Sequence, residues 1–439
     1  MIARLPVPGL ATPRKPRKVS TVERLLANGL TVVAVRRPSV PMVELRLSVP
    51  FFSTKPTHLA RAMLLSASML TGTGRHDRLG LAVAAGQLGA EINVSIDPDR
   101  LLISSSALAT ELSPLLELVA EVVTDARYPA AEVSGERSRL VERTRVSRSQ
   151  AGTMAAEALA HRMLPQHPYG RTLPDEDQLA ATTPAQLRAM HQAMVRPEGA
   201  VLVLVGDLSP ARTLDAVERI FAEWTGAPAV SKPKPARVAG HGPLLVLDRP
   251  GSVQTSFRFG GAALPRTDPS YPALQLANLA FGGYFSSRWV ENIREDKGYS
   301  YSPRSLLDHG ALGSTFQVVA DVATEVTAPA VLETLYELGR MAATRINPTE
   351  LDSVQQYAIG SLALATSTQA GLAAQLSALA SVGLGVDWLA AHPSRLLAVT
   401  VDEVAAAAAR FLAPQRLVGV AVGDAGSITE PLAAIIDVE

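Results

Sequence analysis

The order of hydrophobic and polar positions predicts strands at the start of the chain. Apolar residues occupy every second position of residues 42–50, which predicts a strand with one buried face. Just before it, residues 22–26 and 30–35 are two further β-rich runs separated by Asn28-Gly29. An Asn-Gly pair between two such runs is typical of a tight hairpin turn. The chain is therefore predicted to open with a β-hairpin followed by a third strand.

The same order of elements then occurs twice. A β-rich run that ends in V-G-D extends from Pro197 to Asp207, and a second extends from Pro414 to Asp424. The two prolines are 217 positions apart, and so are the two aspartates. Upstream, the stretches that begin at residues 99 and 312 both alternate like a strand and then take the three- and four-residue apolar spacing of a helix. The repeat predicts two halves of similar design.

A Pro-, Ala- and Lys-rich stretch at residues 225–242 separates the two halves and is typical of an extended linker. We predict an α+β fold with an N-terminal half at residues 1–228, a linker at 229–242 and a C-terminal half at 243–439. Each half is expected to be an antiparallel-rich sheet with helices packed on one face.

Composition narrows the classes of function. The 439 residues are 47% hydrophobic and 19% charged, which suits substantial globular cores. The chain has 41 Lys and Arg residues and 41 Asp and Glu residues, so its net charge is zero. This charge gives no reason to expect nucleic-acid binding. The absence of Cys excludes thiolate metal sites and cysteine nucleophiles. No secretory signal pattern and no long apolar span is visible, so we expect a cytoplasmic protein that does not engage membranes.

The chemistry is concentrated in residues 281–305, F-G-G-Y-F-S-S-R-W-V-E-N-I-R-E-D-K-G-Y-S-Y-S-P-R-S. We expect the glycine pair to form a turn into a helix that carries Arg294 and stops at Gly298. A short alternating strand is then expected to carry Tyr299 and Tyr301. A cation and a phenol that converge in this way suit a peptide carbonyl whose oxygen becomes negative during attack.

This segment resembles the C-terminal half of the M16 zinc metallopeptidases of the bacterial M16B type. In that family an Arg and a Tyr seven residues apart follow G-G-x-x-S-S-R, as Arg294 and Tyr301 do here. The repeat, the linker and H-P-Y-G at residues 167–170 extend the resemblance over nearly the whole chain, although the His of H-P-Y-G is expected to be a structural turn residue. The resemblance implies two homologous M16-type halves that form half of a clamshell.

The resemblance also assigns roles. Arg294 and Tyr301 are expected to act on the substrate carbonyl, and Gly282, Gly283 and Tyr299 to bind substrate. M16 peptidases hold zinc through an H-x-x-E-H box on an N-terminal helix and a distal Glu. The family's G-T and E-R pairs, matched here at Gly72 and Glu136, place non-ligands at all four positions: Met63, Ser66, Ala67 and Arg143. No cofactor is therefore expected in this chain.

His58 lies on the helix predicted at residues 57–70, but its frame reads H-L-A-R-A and lacks the Glu and the second His. It is expected to be a polar cap or surface residue. The remaining histidines form no H-E-x-x-H, H-x-H or H-x-x-x-H pair.

Within the family, heterodimers divide the work between a zinc-bearing chain and a chain that supplies only the Arg and Tyr. The resemblance thus implies a non-catalytic subunit, with zinc in an H-x-x-E-H-containing M16B partner and peptides or unfolded segments as substrates. One alternative is a proteolytically inactive scaffold or interaction protein, similar to the core proteins of respiratory complexes. Another is a self-contained hydrolase that uses Ser286 or Ser287.

Overall fold

The strands of the chain form two separate sheets in the computed structural model, which describes residues 20–230 and 234–439. One sheet precedes the Pro-rich stretch and the other follows it. The predicted linker at 229–242 includes residues 231–233, which lie outside the described residues.

Within residues 20–230, six strands form the first sheet in the order β1-β2-β6-β3-β5-β4. Their bounds are β1 (Ser20–Leu25), β2 (Thr31–Arg36), β3 (Met42–Pro50), β4 (Glu91–Ile96), β5 (Arg100–Leu108) and β6 (Val201–Gly206). The predicted hairpin is confirmed, since β1 and β2 pair antiparallel across a turn in which Gly29 has a φ of 87°. The predicted third strand coincides with β3.

Within residues 234–439, five strands form the second sheet in the order β7-β11-β8-β10-β9. Their bounds are β7 (Leu244–Asp248), β8 (Gln254–Ala263), β9 (Arg304–Gly310), β10 (Gly313–Ala323) and β11 (Val418–Gly423). This order repeats β2-β6-β3-β5-β4, and β6 and β11 are each parallel to one neighbour and antiparallel to the other. The predicted duplication is therefore confirmed at the level of strand order.

Helices of the same half cover one face of each sheet, and one helix of each half packs instead on the sheet of the other half. The first half contributes α1 (His58–Ser68), α2 (Arg78–Gln87), α3 (Leu112–Asp125), α4 (Ala130–Arg148), α5 (Ala151–Met163), α6 (Glu176–Ala181), α7 (Pro184–Met194) and α8 (Pro210–Ile220). The second contributes α9 (Tyr271–Asn278), α10 (Arg288–Val290), α11 (Thr327–Ala343), α12 (Pro348–Ala365), α13 (Gln369–Ala380), α14 (Val386–Leu397), α15 (Val401–Phe411) and α16 (Ala425–Ala433). Each half has its own large apolar core.

The opposite face of each sheet is covered by a helix of the other half. Helix α5 packs on β8 and β11, where Leu159 and Met163 meet Val420. Helix α13 packs on β3 and β6, where Leu376 meets Val205. Because both faces are buried, the central strands β6 and β11 are nearly continuous apolar runs. Within each half, its own helices cover one face of its sheet, as predicted. The two halves are joined because α5 and α13 each cover the remaining face of the other half's sheet.

A polar contact adds to this junction at the H-P-Y-G turn. The hydroxyl of Tyr169 donates to Asp99 at 2.5 Å and accepts from the backbone N–H of Leu312 at 3.2 Å. The ring of His167 accepts a hydrogen bond from the N–H of Tyr169. The structural role predicted for this turn is confirmed, since it ties the first half to the β9–β10 turn of the second.

Across the described residues, no helix is both long enough and apolar enough to cross a bilayer.

Candidate functional site

The glycine pair lies at the end of a helix and not in a turn. Helix α9 continues into a π-helical turn, Leu279–Gly283, which contains both glycines. A Cβ on Gly282 would lie 2.8 Å from Trp289 Cε3, and one on Gly283 would lie 2.8 Å from Asn278 Nδ2. The predicted turn was wrong because close packing, rather than a change of chain direction, requires glycine at these positions.

The helical segment that carries Arg294 is fixed by bonds to α11. Helix α10 continues into a second π-helical turn, Glu291–Asp296. The buried Trp289 donates from Nε1 to Thr334 Oγ1 at 2.9 Å, and Asn292 Nδ2 donates to Glu333 at 2.9 Å. These bonds set the position of the backbone from which Arg294 extends.

The helix ends where the sequence predicts, but the residues after it do not form a strand. Gly298 takes a φ of 66°, a left-handed conformation suited to glycine. The N–H groups of Tyr299 and Ser300 both donate to Ile293 O, at 2.8 and 3.3 Å. Because these N–H groups satisfy the helix C-terminus, they do not join a sheet, and β9 begins only at Arg304. The predicted strand at Tyr299 was therefore wrong.

Arg294 and Tyr301 lie together at one pocket. The guanidinium carbon of Arg294 is 5.3 Å from the centroid of the Tyr301 ring. Both residues, with Gly282 and Gly283, line a pocket of about 310 Å³, and Tyr301 is 83% exposed at its edge. The folded chain thus brings Arg294 and Tyr301 together at one accessible pocket, although the strand predicted to carry Tyr301 does not form.

Tyr299 lies beside this pocket and not within it. Its side chain is half-buried and packs against the core of the second half. It lines an adjoining pocket of about 250 Å³, which shares Tyr301 and Ser302 with the first pocket. A chain that occupied the first pocket and continued past Tyr301 would therefore meet Tyr299.

The charge of Arg294 is only weakly neutralised. Its Nε lies 3.1 Å from Glu295 Oε1, and the Glu295 side chain is 52% exposed. An ion pair this open to solvent contributes little, on the order of 0–1 kcal/mol. Among the described residues, no further acceptor bonds the guanidinium, so its terminal Nη groups are available to a ligand.

Two residues of the same segment were missed by sequence reasoning. The ring of Phe285 lies against Arg294, with its centroid 4.1 Å from the guanidinium carbon. Arg288, the Arg of G-G-x-x-S-S-R, makes a bidentate pair with Glu350 at 2.7 Å for each bond. This pair holds the first turn of α12 against the segment. The one feature of the sequence that could have drawn attention to Phe285 is its position as an aromatic residue between a glycine pair and a serine pair.

The positions of the family's zinc frame lie on accessible parts of α1 and α4, two helices that pack together. Met63 and Ser66 are half-buried and Ala67 and Arg143 are exposed, whereas most of the remaining surface of α1 is buried. Ser66 Oγ donates to the backbone of Met63 at 3.0 Å. No group of three or more His, Cys, Asp or Glu in the described residues could hold a metal ion. The side chains at this frame do not fit zinc.

His58 is a packing residue. It is the first residue of α1, its ring lies 5.5 Å from that of Phe51, and burial lowers the pKa of its imidazole to about 4. The surface role expected from the sequence is corrected accordingly, since the ring is mostly enclosed and neutral at pH 7.

The serines of the segment have structural surroundings. Ser287 is buried and donates from Oγ to Tyr284 O at 2.6 Å, whereas Ser286 is exposed. Across the part of the chain that the structure describes, neither hydroxyl is hydrogen-bonded to a histidine. This arrangement gives no support to a self-contained serine hydrolase.

The chain is similar in sequence to several known proteins. Residues 181–357 match the family model described as the peptidase M16 inactive domain. An uncharacterized zinc protease of Mycobacterium bovis is 26% identical over 413 residues, which cover 92% of this chain and 93% of that protein. A probable inactive metalloprotease of Bacillus subtilis, YmfF, is 26% identical over 306 residues, which cover 64% of this chain and 70% of that protein.

Solved structures show the same fold. A peptidase M16 inactive domain from Pseudomonas fluorescens superposes with a TM-score of 0.85 at 24% identity, covering 92% of this chain and 98% of that one. A protease from Helicobacter pylori gives a TM-score of 0.83 at 16% identity, with 92% and 99% covered. The two-sheet architecture is therefore that of these proteins.

Proposed function

We propose that this chain is the non-catalytic subunit of a heterodimeric M16B zinc metalloendopeptidase. The proposal starts from the M16-type fold and from the match to the M16 inactive domain. It contributes Arg294 and Tyr301 to the zinc site of a partner chain that carries H-x-x-E-H. In this proposal the chain has no cofactor of its own, and zinc belongs to the partner.

The observation that carries the proposal is the contrast between the two halves. The second half keeps Arg294 and Tyr301 together at an accessible pocket. The first half has Met63, Ser66 and Ala67 on the accessible side of α1, where the family places its metal ligands. This contrast supports the proposal, because it is the pattern expected of a subunit that completes another chain's site.

The chemistry of the pair suits stabilisation of a charge that forms during attack on a carbonyl. The free Nη groups of Arg294 supply a cation with directed N–H donors, and the exposed phenol of Tyr301 supplies an O–H donor. Both would bind the oxygen of the scissile peptide as its negative charge grows, and would hold the carbonyl in position. The partner's zinc supplies the activated water.

The substrates proposed are peptides or unfolded segments, which can extend over both pockets. Gly282 and Gly283 line the pocket beside Arg294 and Tyr299 lines the adjoining one, so these residues are the proposed contacts of the substrate chain. The cytoplasmic location stays a prediction.

Co-purification tests the proposal. The tagged chain is expressed in its native host, and the proteins that it retains are identified and analysed for metal and for peptidase activity. We expect a stoichiometric chain with H-x-x-E-H, zinc in the complex, and cleavage of unfolded peptides by the complex only. Zinc bound by this chain's own side chains, or proteolysis by this chain alone, contradicts the proposal. A stable complex without proteolysis favours the scaffold alternative.

A further inference from the structure

Phe285 is a large apolar side chain that the fold holds in solvent. It is 58% exposed, although its neighbour Tyr284 packs against Tyr357 with 4.7 Å between ring centroids. The loop that carries it is pinned, because Ser287 donates from both its N–H and its Oγ to Tyr284 O. The exposure of this ring is therefore set by a loop whose backbone is held by hydrogen bonds.

The exposed ring covers one charged group. The guanidinium carbon of Arg294 lies 4.1 Å from the Phe285 centroid and 5.3 Å from the Tyr301 centroid, both within the range of cation–π attraction. The distance of 4.1 Å to Phe285 is short enough for a stacked arrangement, in which the N–H donors lie in the guanidinium plane and are not directed at the ring. Phe285 and Tyr301 thus hold the cation without consuming its terminal donors.

The remaining restraint on Arg294 is weak. Its partner Glu295 is the next residue along the chain, is half exposed, and pairs with Nε only. Without Phe285, the guanidinium would be free to sample several rotamers at an open pocket, and long side chains lose considerable entropy when they are fixed. The stacking contact already restricts these rotamers in the free chain, so less side-chain entropy is lost when the substrate binds.

We infer that Phe285 is a positioning residue, which clamps the guanidinium of Arg294 in the plane that presents its Nη donors to the substrate carbonyl. The inference rests on the proposed function for its effect on rate, but the clamp itself is a property of this chain alone. A cation–π contact at an exposed site corresponds to about a two- to fivefold effect. This is far smaller than the loss expected on removal of Arg294 itself.

The clamp is tested first without the partner. The Nε–Hε signal of Arg294 is recorded by ¹⁵N NMR and identified by its loss in Arg294→Lys. Because the guanidinium lies over the Phe285 face, the signal should be shifted upfield by the ring current. We expect it to move toward the position of an unstacked arginine in Phe285→Leu and to stay upfield in Phe285→Trp. The control is Tyr336→Leu, which removes an aromatic ring of similar exposure (59%) on α11.

The same variants are then assayed in the complex with the zinc-bearing chain. Phe285→Leu should lower kcat about two- to fivefold, Phe285→Trp should restore it, and Tyr336→Leu should change nothing. A signal that stays in place in Phe285→Leu overturns the clamp. A displaced signal with an unchanged rate, while Arg294→Ala is crippled, overturns the positioning role. Full activity of Arg294→Ala instead overturns the proposed function, and with it the effect of Phe285 on rate.

Discussion

Replacement of Gly282 with Ala tests whether the glycine pair is needed for packing. The added Cβ would lie 2.8 Å from Trp289 Cε3 and 2.9 Å from Ser305 Oγ. Ordinary carbon–carbon contact is about 3.5–4.0 Å, so an overlap of roughly 0.7 Å has to be relieved. Trp289 has no room to move, because it is fully buried, stacks on Phe281 at 5.3 Å and is bonded to Thr334.

Overpacking of this kind costs about 1–3 kcal/mol. For a half of roughly 200 residues, a loss of about 2 kcal/mol lowers Tm by about 4–8 °C. The free energy of unfolding is measured in urea, and Tm by calorimetry. The control is Gly339→Ala in α11, where the new Cβ meets nothing within 4 Å. That change should be neutral or stabilise the chain by up to about 1 kcal/mol.

Equal stabilities of the Gly282→Ala and Gly339→Ala variants would refute the packing argument. Loss of peptide binding by Gly282→Ala without any loss of stability would show that the glycine acts through the substrate alone.

Two further predictions follow from the first half. The variant Met63→His, Ser66→Glu, Ala67→His, Arg143→Glu should recover zinc binding, measured by metal analysis of the purified chain. It should show little or no proteolysis, because the hydrogen-bond partners that orient zinc-binding imidazoles have had no reason to persist in this chain. A folded variant that binds no zinc would contradict the frame. The chain should also lose stability in acid through His191, whose burial lowers its pKa to about 4, while Nε2 donates to Val123 O and Nδ1 accepts from Tyr128. Because the unfolded imidazole takes up its proton near pH 6.5 and the folded one near pH 4, the stability is present above pH 6.5 and falls toward pH 4, by about 2 kcal/mol between pH 7 and 5. Because burial also lowers the pKa of His58 to about 4, urea unfolding at the two pH values should show a loss at least this large, and identical stabilities of the chain at pH 7 and 5 would contradict it.

Local patterns predicted the elements whose residues specify their own conformation. The alternation over residues 42–50 and the Asn28-Gly29 pair predicted β3 and the hairpin because strand periodicity and turn chemistry are local. The matched V-G-D runs predicted that β6 and β11 are equivalent. Gly298 predicted the helix end for the same reason, since it takes a left-handed φ.

The failures concern contacts between side chains that periodicity and turn chemistry do not reveal. The apolar residues of α5 and α13 do not reveal which sheet they cover, so the exchange of helices between the halves was not predictable from periodicity. Gly282 was interpreted as a turn residue because the partner that excludes a side chain, Trp289, is identified only by the fold. Phe285 was missed because its significance depends on where the Arg294 side chain lies.

The most direct test of the central claim is the peptidase activity of the complex when either member of the pair is removed from this chain. Arg294→Ala and Tyr301→Phe are each mixed with the wild-type zinc-bearing chain, with Tyr336→Phe as the control. Neither side chain is part of a core, so both variants should fold and bind the partner normally, and kcat should fall on the order of 10²–10³-fold. Full activity of both variants in an intact complex would contradict the claim that this chain completes its partner's site.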